Sequence, residues 1–358
     1  MTDTVRFGIV GLGMGRHRAG IAAQTPGAKL VAVCDLWEER GRSAAEELGC
    51  EWLRDFDDLL AREDLDCIGV FTPSGMHAEF ATRALLAGKH VFVTKPFDLT
   101  LEACDRALAA AEQTGKLLAV DFELRYAPRY HQLRAALREG ALGRLILGDL
   151  RLRWYRGQAY YDGGFPAGWR SRLATERGSL ANQAVHYLDL LQWWLGPVVS
   201  VCGQSGTFAH DIETEDTSLS LLSFAGGAYG TVVTSTCSIP ELGWSLEVMG
   251  NAGNLRVRRG EVLLFRAVSD PTAEGEGAAS ATSPHLKWQI GGHPPAQDLR
   301  VEDYPAPAHL PANIIEDMIG AITQGRPVQC DGREGRKTVE IFAAIYRSAE
   351  SGARVTLG

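Results

Sequence analysis

The sequence predicts an α/β architecture in two parts: an N-terminal doubly wound parallel sheet, then an α+β domain whose large, mostly antiparallel sheet is flanked by helices. Three observations carry this. Short apolar runs alternate strictly with helix-period segments over the first third of the chain. Beyond about residue 122 the rhythm changes to strand-like runs separated by glycine-containing turns. The length of 358 residues is ample for two domains.

The apolar runs are Val5–Val10, Leu30–Cys34, Cys67–Phe71, His90–Thr94 and Leu117–Val120, each about the length of a buried strand. Between them lie Arg16–Gln24, Glu38–Leu48, Met76–Ala87 and Leu101–Gln113, all with helical spacing. Strand, helix, strand in series gives βαβ units, a parallel sheet and right-handed crossovers. The first domain is set at residues 1–122 and the second at 123–358, with the last helices able to pack back on the first.

In the second part a helix is expected over Pro128–Glu139, ended by Gly140, and a strand over Leu145–Trp154. Tyr155–Gly178 reads as a polar, aromatic and glycine-rich loop. A strong helix follows over Leu180–Leu195 and Gly196-Pro197 stops it. The runs Val198–Gly206, Thr217–Phe224, Tyr229–Thr236, Ser245–Met249, Asn254–Arg258 and Val262–Arg266 read as hairpins. Pro271–Pro284, rich in Gly, Ala, Ser and Thr, reads as a mobile surface loop. Helices over Ala312–Thr323 and Gly335–Ser351 close the chain.

Composition narrows the function classes. Apolar residues make up 45% and charged residues 22%, so a packed core is expected and disorder is not. The net charge of −8 argues against a non-specific nucleic-acid binder, which needs clustered Lys and Arg. Seven dispersed cysteines without a C-x-x-C pair suit free thiols in a reducing compartment. No secretory leader and no run of 18 apolar residues is seen, so a cytoplasmic protein away from membranes is expected. No metal site is expected.

The first strand runs into Gly11-Leu12-Gly13-Met14-Gly15-Arg16, and a helix follows. Glycine permits the tight turn and a close backbone approach, and the helix N-terminus offers unpaired N–H groups to a pyrophosphate. Strand before and helix after make this a dinucleotide-binding (Rossmann) fingerprint rather than a chance glycine cluster. Arg16 stands where the third glycine is usual, with Gly15 one position away to compensate. Asp35 ends the second strand, where a carboxylate accepts hydrogen bonds from a ribose diol and repels a 2′-phosphate. NAD is therefore favoured over NADP, with Arg40 and Arg42 softening the preference. Thr72-Pro73-Ser74 and His77 follow a strand at its C-terminal end, the edge where ligands sit in open α/β sheets.

The stretches VGLGMGR, TPSGMHAEFATRALLAGKHVFVTKP, GALGRL, GSLANQAVHYLDLLQWWLG and RSAESGARVTL together resemble the Gfo/Idh/MocA (glucose–fructose oxidoreductase, inositol dehydrogenase) family over nearly the whole chain. The resemblance implies a catalytic lysine at Lys95, followed by Pro96 through a cis bond, with Thr94 where an acidic residue is usual. It implies a second signature on a helix, here Asn182 and His186, with Asn in place of an acid. Without that carboxylate, His186 should be less basic than in relatives. Helical spacing puts Leu180, Ala184, Leu188, Leu191 and Leu195 on one face and Asn182, His186, Asp189 and Trp193 on the opposite, polar one.

The reaction this implies is oxidation of a secondary hydroxyl of a sugar, inositol or sugar derivative, or the reverse reduction. His186 would act as general base, Lys95 would stabilise the alkoxide, and Asn182 would orient the substrate or the imidazole. Arg125, Tyr160, Trp169 and Arg170 are expected at the substrate, and Glu123 stands where relatives often carry an amide. A non-catalytic NAD-bound sensor and an NAD-dependent glycoside hydrolase remain open as alternatives. One face of the antiparallel sheet is too large to leave bare, so a homodimer or homotetramer is expected.

Overall fold

The protein is described by a computed structural model covering residues 4–258, 260–267 and 296–358. The expected loop Pro271–Pro284 lies outside the described residues.

The first part alternates β1 (Val5–Val10), α1 (Gly15–Gln24), β2 (Ala28–Cys34), α2 (Glu38–Leu48), β3 (Glu51–Leu53), α3 (Phe56–Leu60), β4 (Cys67–Val70), α4 (His77–Leu86), β5 (His90–Thr94), α5 (Leu101–Thr114) and β6 (Leu118–Asp121). Its six strands are parallel in the order β3-β2-β1-β4-β5-β6. That order reverses between β1 and β4, which opens a crevice at the strand C-termini. Only β3 and α3 escaped the sequence pattern. Three residues at a sheet edge show no period of their own.

The second part runs α6 (Pro128–Arg138), β7 (Leu145–Arg153), α7 (Gln158–Asp162), α8 (Val185–Leu195), β8 (Val198–Gly206), β9 (Thr217–Phe224), β10 (Tyr229–Ser235), β11 (Gly243–Gly250), β12 (Gly253–Arg258), β13 (Glu261–Ala267), β14 (Ala296–Asp298), α9 (Ile314–Gln324), α10 (Gly332–Ser351) and β15 (Val355–Thr356). The sheet order is β14-β13-β12-β11-β7-β10-β9-β8-β15, antiparallel except where β7 pairs with β10. One face packs under helices. At Gly148 a Cβ would come within 2.7–2.8 Å of Leu195 and Leu191, so glycine lets α8 lie flat on β7. The other face exposes Leu219, Leu221, Tyr229 and Met249. α9 packs on α1 and β1, and α10 on α5, β6 and β8, so the chain end ties both sheets.

The expected two-faced helix is corrected in two ways. Its first turn, Ser179–Gln183, is π-helical, so uniform helical spacing does not carry from Asn182 into α8. The expected polar face is also buried, with Asp189 1% and Trp193 8% exposed. A charge can sit there because Arg125, itself 1% exposed, meets Asp189 through two hydrogen bonds of 2.8 and 2.7 Å. Burial works against the Arg125 charge, but Asp189 more than restores it, and its pKa is raised. Arg125 therefore does not face the substrate cleft, as was expected of it. It pins the start of the second part to α8 and, through a 3.4 Å contact with the Gln329 carbonyl, to the chain leading into α10.

Among the described residues no helix is long and apolar enough to cross a membrane. All seven cysteines are free.

Candidate active site

The glycine turn is built as a cradle. Gly11 has φ +85°, and a Cβ there would collide with the Phe71 carbonyl. Gly13 faces open space, and Met14, at the N-cap of α1, is 75% exposed. The first turn of α1 carries neither a capping side chain nor an acid, and the His17 N–H turns back to the Met14 carbonyl at 3.2 Å, so no side chain of the protein covers this helix start. Gly15 takes over the packing role of the missing third glycine. A Cβ there would press on Phe71 and Ile9 at 3.0–3.2 Å, while Arg16 turns outward to Glu47. These residues fit the pyrophosphate of a dinucleotide.

Asp35 behaves differently from expectation. Its carboxylate accepts from Leu12 N (2.7 Å) and Trp37 N (2.8 Å), and it takes both arms of Arg40 at 3.0 and 2.8 Å. All four acceptor positions are used, and the residue is 4% exposed. Here it anchors the glycine turn, and Arg40 neutralises it, so a bare charge is not what would turn away a 2′-phosphate.

The other crevice residues hold the backbone. His77 is buried, with Nδ1 2.7 Å from the Pro96 carbonyl and Nε2 2.7 Å from the Thr72 carbonyl. It braces the Thr72-Pro73-Ser74 and Lys95-Pro96 segments against each other, so its ring does not face a cofactor directly. The Thr72 hydroxyl is buried without a partner, and Ser74 Oγ donates to Glu176 at 2.8 Å. Thr94 ends β5, and the Lys95–Pro96 bond is cis.

Lys95 crosses between the two parts: Nζ donates to the Asn182 carbonyl in the π-turn at 2.9 Å. Asn182 thus meets Lys95 through its backbone, while its side-chain oxygen accepts from Gln183 Nε2. Burial lowers the Lys95 pKa, and the nearby Glu176, Glu123 and Asp121 only partly offset this. His186 lies in the first turn of α8. Burial, Lys95 and Arg18 hold its pKa well below the ordinary 6.5. Its Nδ1 has no partner, and its Nε2 is 3.9 Å from Glu123 Oε1. Arg18 of α1 joins this group at 2.6 Å from Asp121 and 3.0 Å from Glu123. Arg18 and Asp121 went unnoticed in the sequence because only the fold brings α1 to the end of β6.

The expected loop Tyr155–Gly178 is an ordered strap across the crevice, carrying α7 and a 3-10 turn at Trp169–Ser171. Its Phe165 stacks on Trp37 with ring centres 5.4 Å apart, beside the turn after β2 that carries Asp35. Farther along, the Gly75 N–H donates to the Thr175 carbonyl at 3.1 Å. Tyr160 and Arg170 line a small cleft with Tyr161, Glu176, Arg177, Asn182 and Gln183. Trp169 lies behind Arg170, 4.5 Å from its guanidinium, and does not itself line that cleft. Glu215 fixes the floor: its carboxylate accepts from Gly178 N and Leu180 N at 3.0 and 2.8 Å, and from the Tyr346 hydroxyl at 3.0 Å. One further group, His210, Asp216 and Cys237, has ligand atoms within 4.8 Å of one another, behind Tyr161, whose ring lies 4.8 Å from that of His210. The Asp216 carboxylate there is occupied by the Phe208 and Ala209 N–H groups and by His210, which orders a loop.

A glycine-turn cradle on a 3-2-1-4-5-6 parallel sheet, joined to the α+β part through a buried amine, defines an NAD-binding oxidoreductase. Comparison with known proteins makes this specific. The family described as "Oxidoreductase family, NAD-binding Rossmann fold" matches residues 5–122, and the Gfo/Idh/MocA C-terminal domain matches residues 130–256. The chain belongs to the Gfo/Idh/MocA family. It is 28% identical to a D-apiose dehydrogenase of Paraburkholderia graminis over 92% of this chain and 84% of that one. It is 26% identical to an inositol 2-dehydrogenase of Rhizobium meliloti over 99% of both chains. The WlbA dehydrogenase of Bordetella pertussis, solved with NADH and UDP-GlcNAcA, superposes with a TM-score of 0.80 at 29% identity over 99% of both chains.

Proposed function

We propose that the protein transfers hydride between NAD and a secondary hydroxyl or ketone of a sugar, inositol or sugar derivative. The observation that carries this is the pairing of Lys95 with the π-turn of Asn182, one step from an imidazole that is held neutral. The dehydrogenases compared above support the substrate class.

Bound NAD supplies the hydride acceptor or donor. The chain's own residues handle the proton and the developing charge. Neutral His186 takes the hydroxyl proton at Nε2, the nitrogen nearer Glu123, which requires the Nδ1–H tautomer. Glu123, tied to Arg18, then offsets the imidazolium charge that Asn182 cannot offset. The Lys95 ammonium stabilises the alkoxide. Gly11, Gly13, Met14 and Gly15 seat the pyrophosphate, while Thr72, Pro73, Ser74 and Thr94 form the crevice wall along the dinucleotide.

The exposed sheet face with Leu219, Leu221, Tyr229 and Met249 suits a second copy of the chain as a homodimer or homotetramer. The free thiols suit the cytoplasm. The test is NADH formation with a panel of sugars, polyols and sugar acids. Formation with at least one member, abolished in His186→Ala without loss of NAD affinity, is expected. Cleavage of aryl glycosides without NADH accumulation would overturn the reading.

A further inference from the structure

We infer that the cleft beside Asn182 recognises an oxyanion on the substrate, so that the preferred substrate is a sugar acid or sugar phosphate rather than a neutral polyol. The inference rests on the oxidoreductase reading above and adds the chemical class of the ligand. Its starting point is two guanidinium groups that form no ion pair among the described residues.

Arg170 and Arg177 both line the cleft. Neither meets a carboxylate at ion-pair distance among the described residues. Other buried or half-buried arginines do: Arg18 pairs with Asp121 and Arg40 with Asp35 at the crevice, and Arg125 with Asp189 in the core. Arg177 Nε is buried and has no hydrogen-bond partner. Arg170 makes only a 3.5 Å contact to the Tyr160 carbonyl. A guanidinium presents five donors; those at the surface can meet water, but a buried one such as Arg177 Nε is costly to leave unmet unless a ligand takes it. The one carboxylate in the cleft, Glu176, is already engaged by Ser74 Oγ at 2.8 Å and by the Arg177 backbone N–H at 3.1 Å.

Both arginines are also held in place in advance. The Arg170 guanidinium lies 4.9 Å from the Tyr160 ring and 4.5 Å from the Trp169 ring. The Arg177 guanidinium lies 5.3 Å from the Tyr346 ring, whose hydroxyl is fixed on Glu215. Aromatic faces take up the flat sides of the cations and leave their N–H edges for a ligand. Such an edge matches the two oxygens of a carboxylate or phosphate. The neutral neighbours Asn182, Gln183 and Tyr160 remain for hydroxyl groups, with Gln183 Nε2 already 3.0 Å from the Tyr160 hydroxyl.

The test is calorimetric binding to the NADH-loaded enzyme, with turnover measured alongside, for matched sets: D-glucose, D-glucuronate and glucose 6-phosphate, and the D-galactose counterparts. At least one anion should bind tenfold or more tighter than its neutral partner, about 1.4 kcal/mol, and lose affinity as salt rises. Arg177→Met and Arg170→Met should each lower anion affinity about tenfold and the double variant should erase the preference. Arg177→Lys should fall between, with NADH affinity and melting temperature as controls for folding. Carboxylate or phosphate outranking the other identifies the source of the oxyanion. Anion binding no tighter than neutral binding in both sets, or a preference that survives in the double variant, overturns the inference. Neutral sugars oxidised with no anion preference would leave the oxidoreductase reading standing without it. Tight anion binding with no turnover of any sugar would do the reverse.

Discussion

The two walls of the crevice treat charge differently. On the Rossmann side, charged groups are closed into pairs: Asp35 is saturated by Arg40 and two backbone N–H groups, and Arg18 is shared by Asp121 and Glu123. On the strap side, Arg170 and Arg177 stand against aromatic rings with no carboxylate at ion-pair distance among the described residues. Paired charges shape the fold and resist change. Unpaired ones, held rigid, are available to something that arrives from solution. Lys95 sits where the walls meet and belongs to neither class, since its one hydrogen bond is to a backbone carbonyl.

The largest effect is therefore expected at Lys95. Lys95→Met should lower kcat by about a thousandfold or more while NAD affinity, measured by fluorescence titration, stays within about twofold. Wild-type turnover in this variant would remove the lysine from the chemistry. Next comes a closed pair. Asp189→Ala leaves the buried Arg125 charge only the 3.5 Å ion pair to Glu334 and should cost about 3 kcal/mol in urea unfolding. An Arg125→Met/Asp189→Leu double variant should recover most of that, because two matched apolar groups replace two matched charges. If the single variant were as stable as wild type, burial would not be what distinguishes the walls.

The histidine gives a smaller, pH-dependent effect. Its pKa in the folded protein lies below the ordinary 6.5. As pH falls through that value, the unfolded chain takes up a proton that the folded one refuses. Stability is then lost on the acid side, by at most about 1.4 kcal/mol per pH unit. His186→Gln should flatten this fall in urea midpoints between about pH 7 and 5. An unchanged slope would mean the imidazole is not held neutral. The smallest effect is at the strap. Trp37→Ala removes a half-exposed stack worth about 0.5–1.5 kcal/mol, so NADH release in stopped flow should quicken severalfold, with Trp37→Phe restoring it.

The Rossmann side was the more legible in the sequence, because its signals are local. Strand, glycine turn and helix are contiguous, and five of the six strands announce themselves as apolar runs. The substrate side is assembled from segments far apart in the chain. The burial of Asp189 depends on Arg125, 64 residues away, so spacing alone made a buried face look solvated. The Lys95 contact is to a backbone carbonyl, which no side-chain pattern reveals. Arg177 had no local signal at all, since a lone arginine before a glycine resembles any turn. Asp35 stood where expected, but its partners Leu12 and Arg40 could be known only from the folded turn.

The strap has a consequence for communication along the crevice. Phe165 at the adenosine end and Arg170, Glu176 and Arg177 at the sugar end belong to one unbroken stretch of backbone, fastened midway by the Gly75–Thr175 hydrogen bond. A guest that seats one end is expected to stiffen the other, so that part of the ordering entropy for the second guest would already be met when the first arrives. Linkage makes that help mutual: occupancy at either end tightens the other by the same factor.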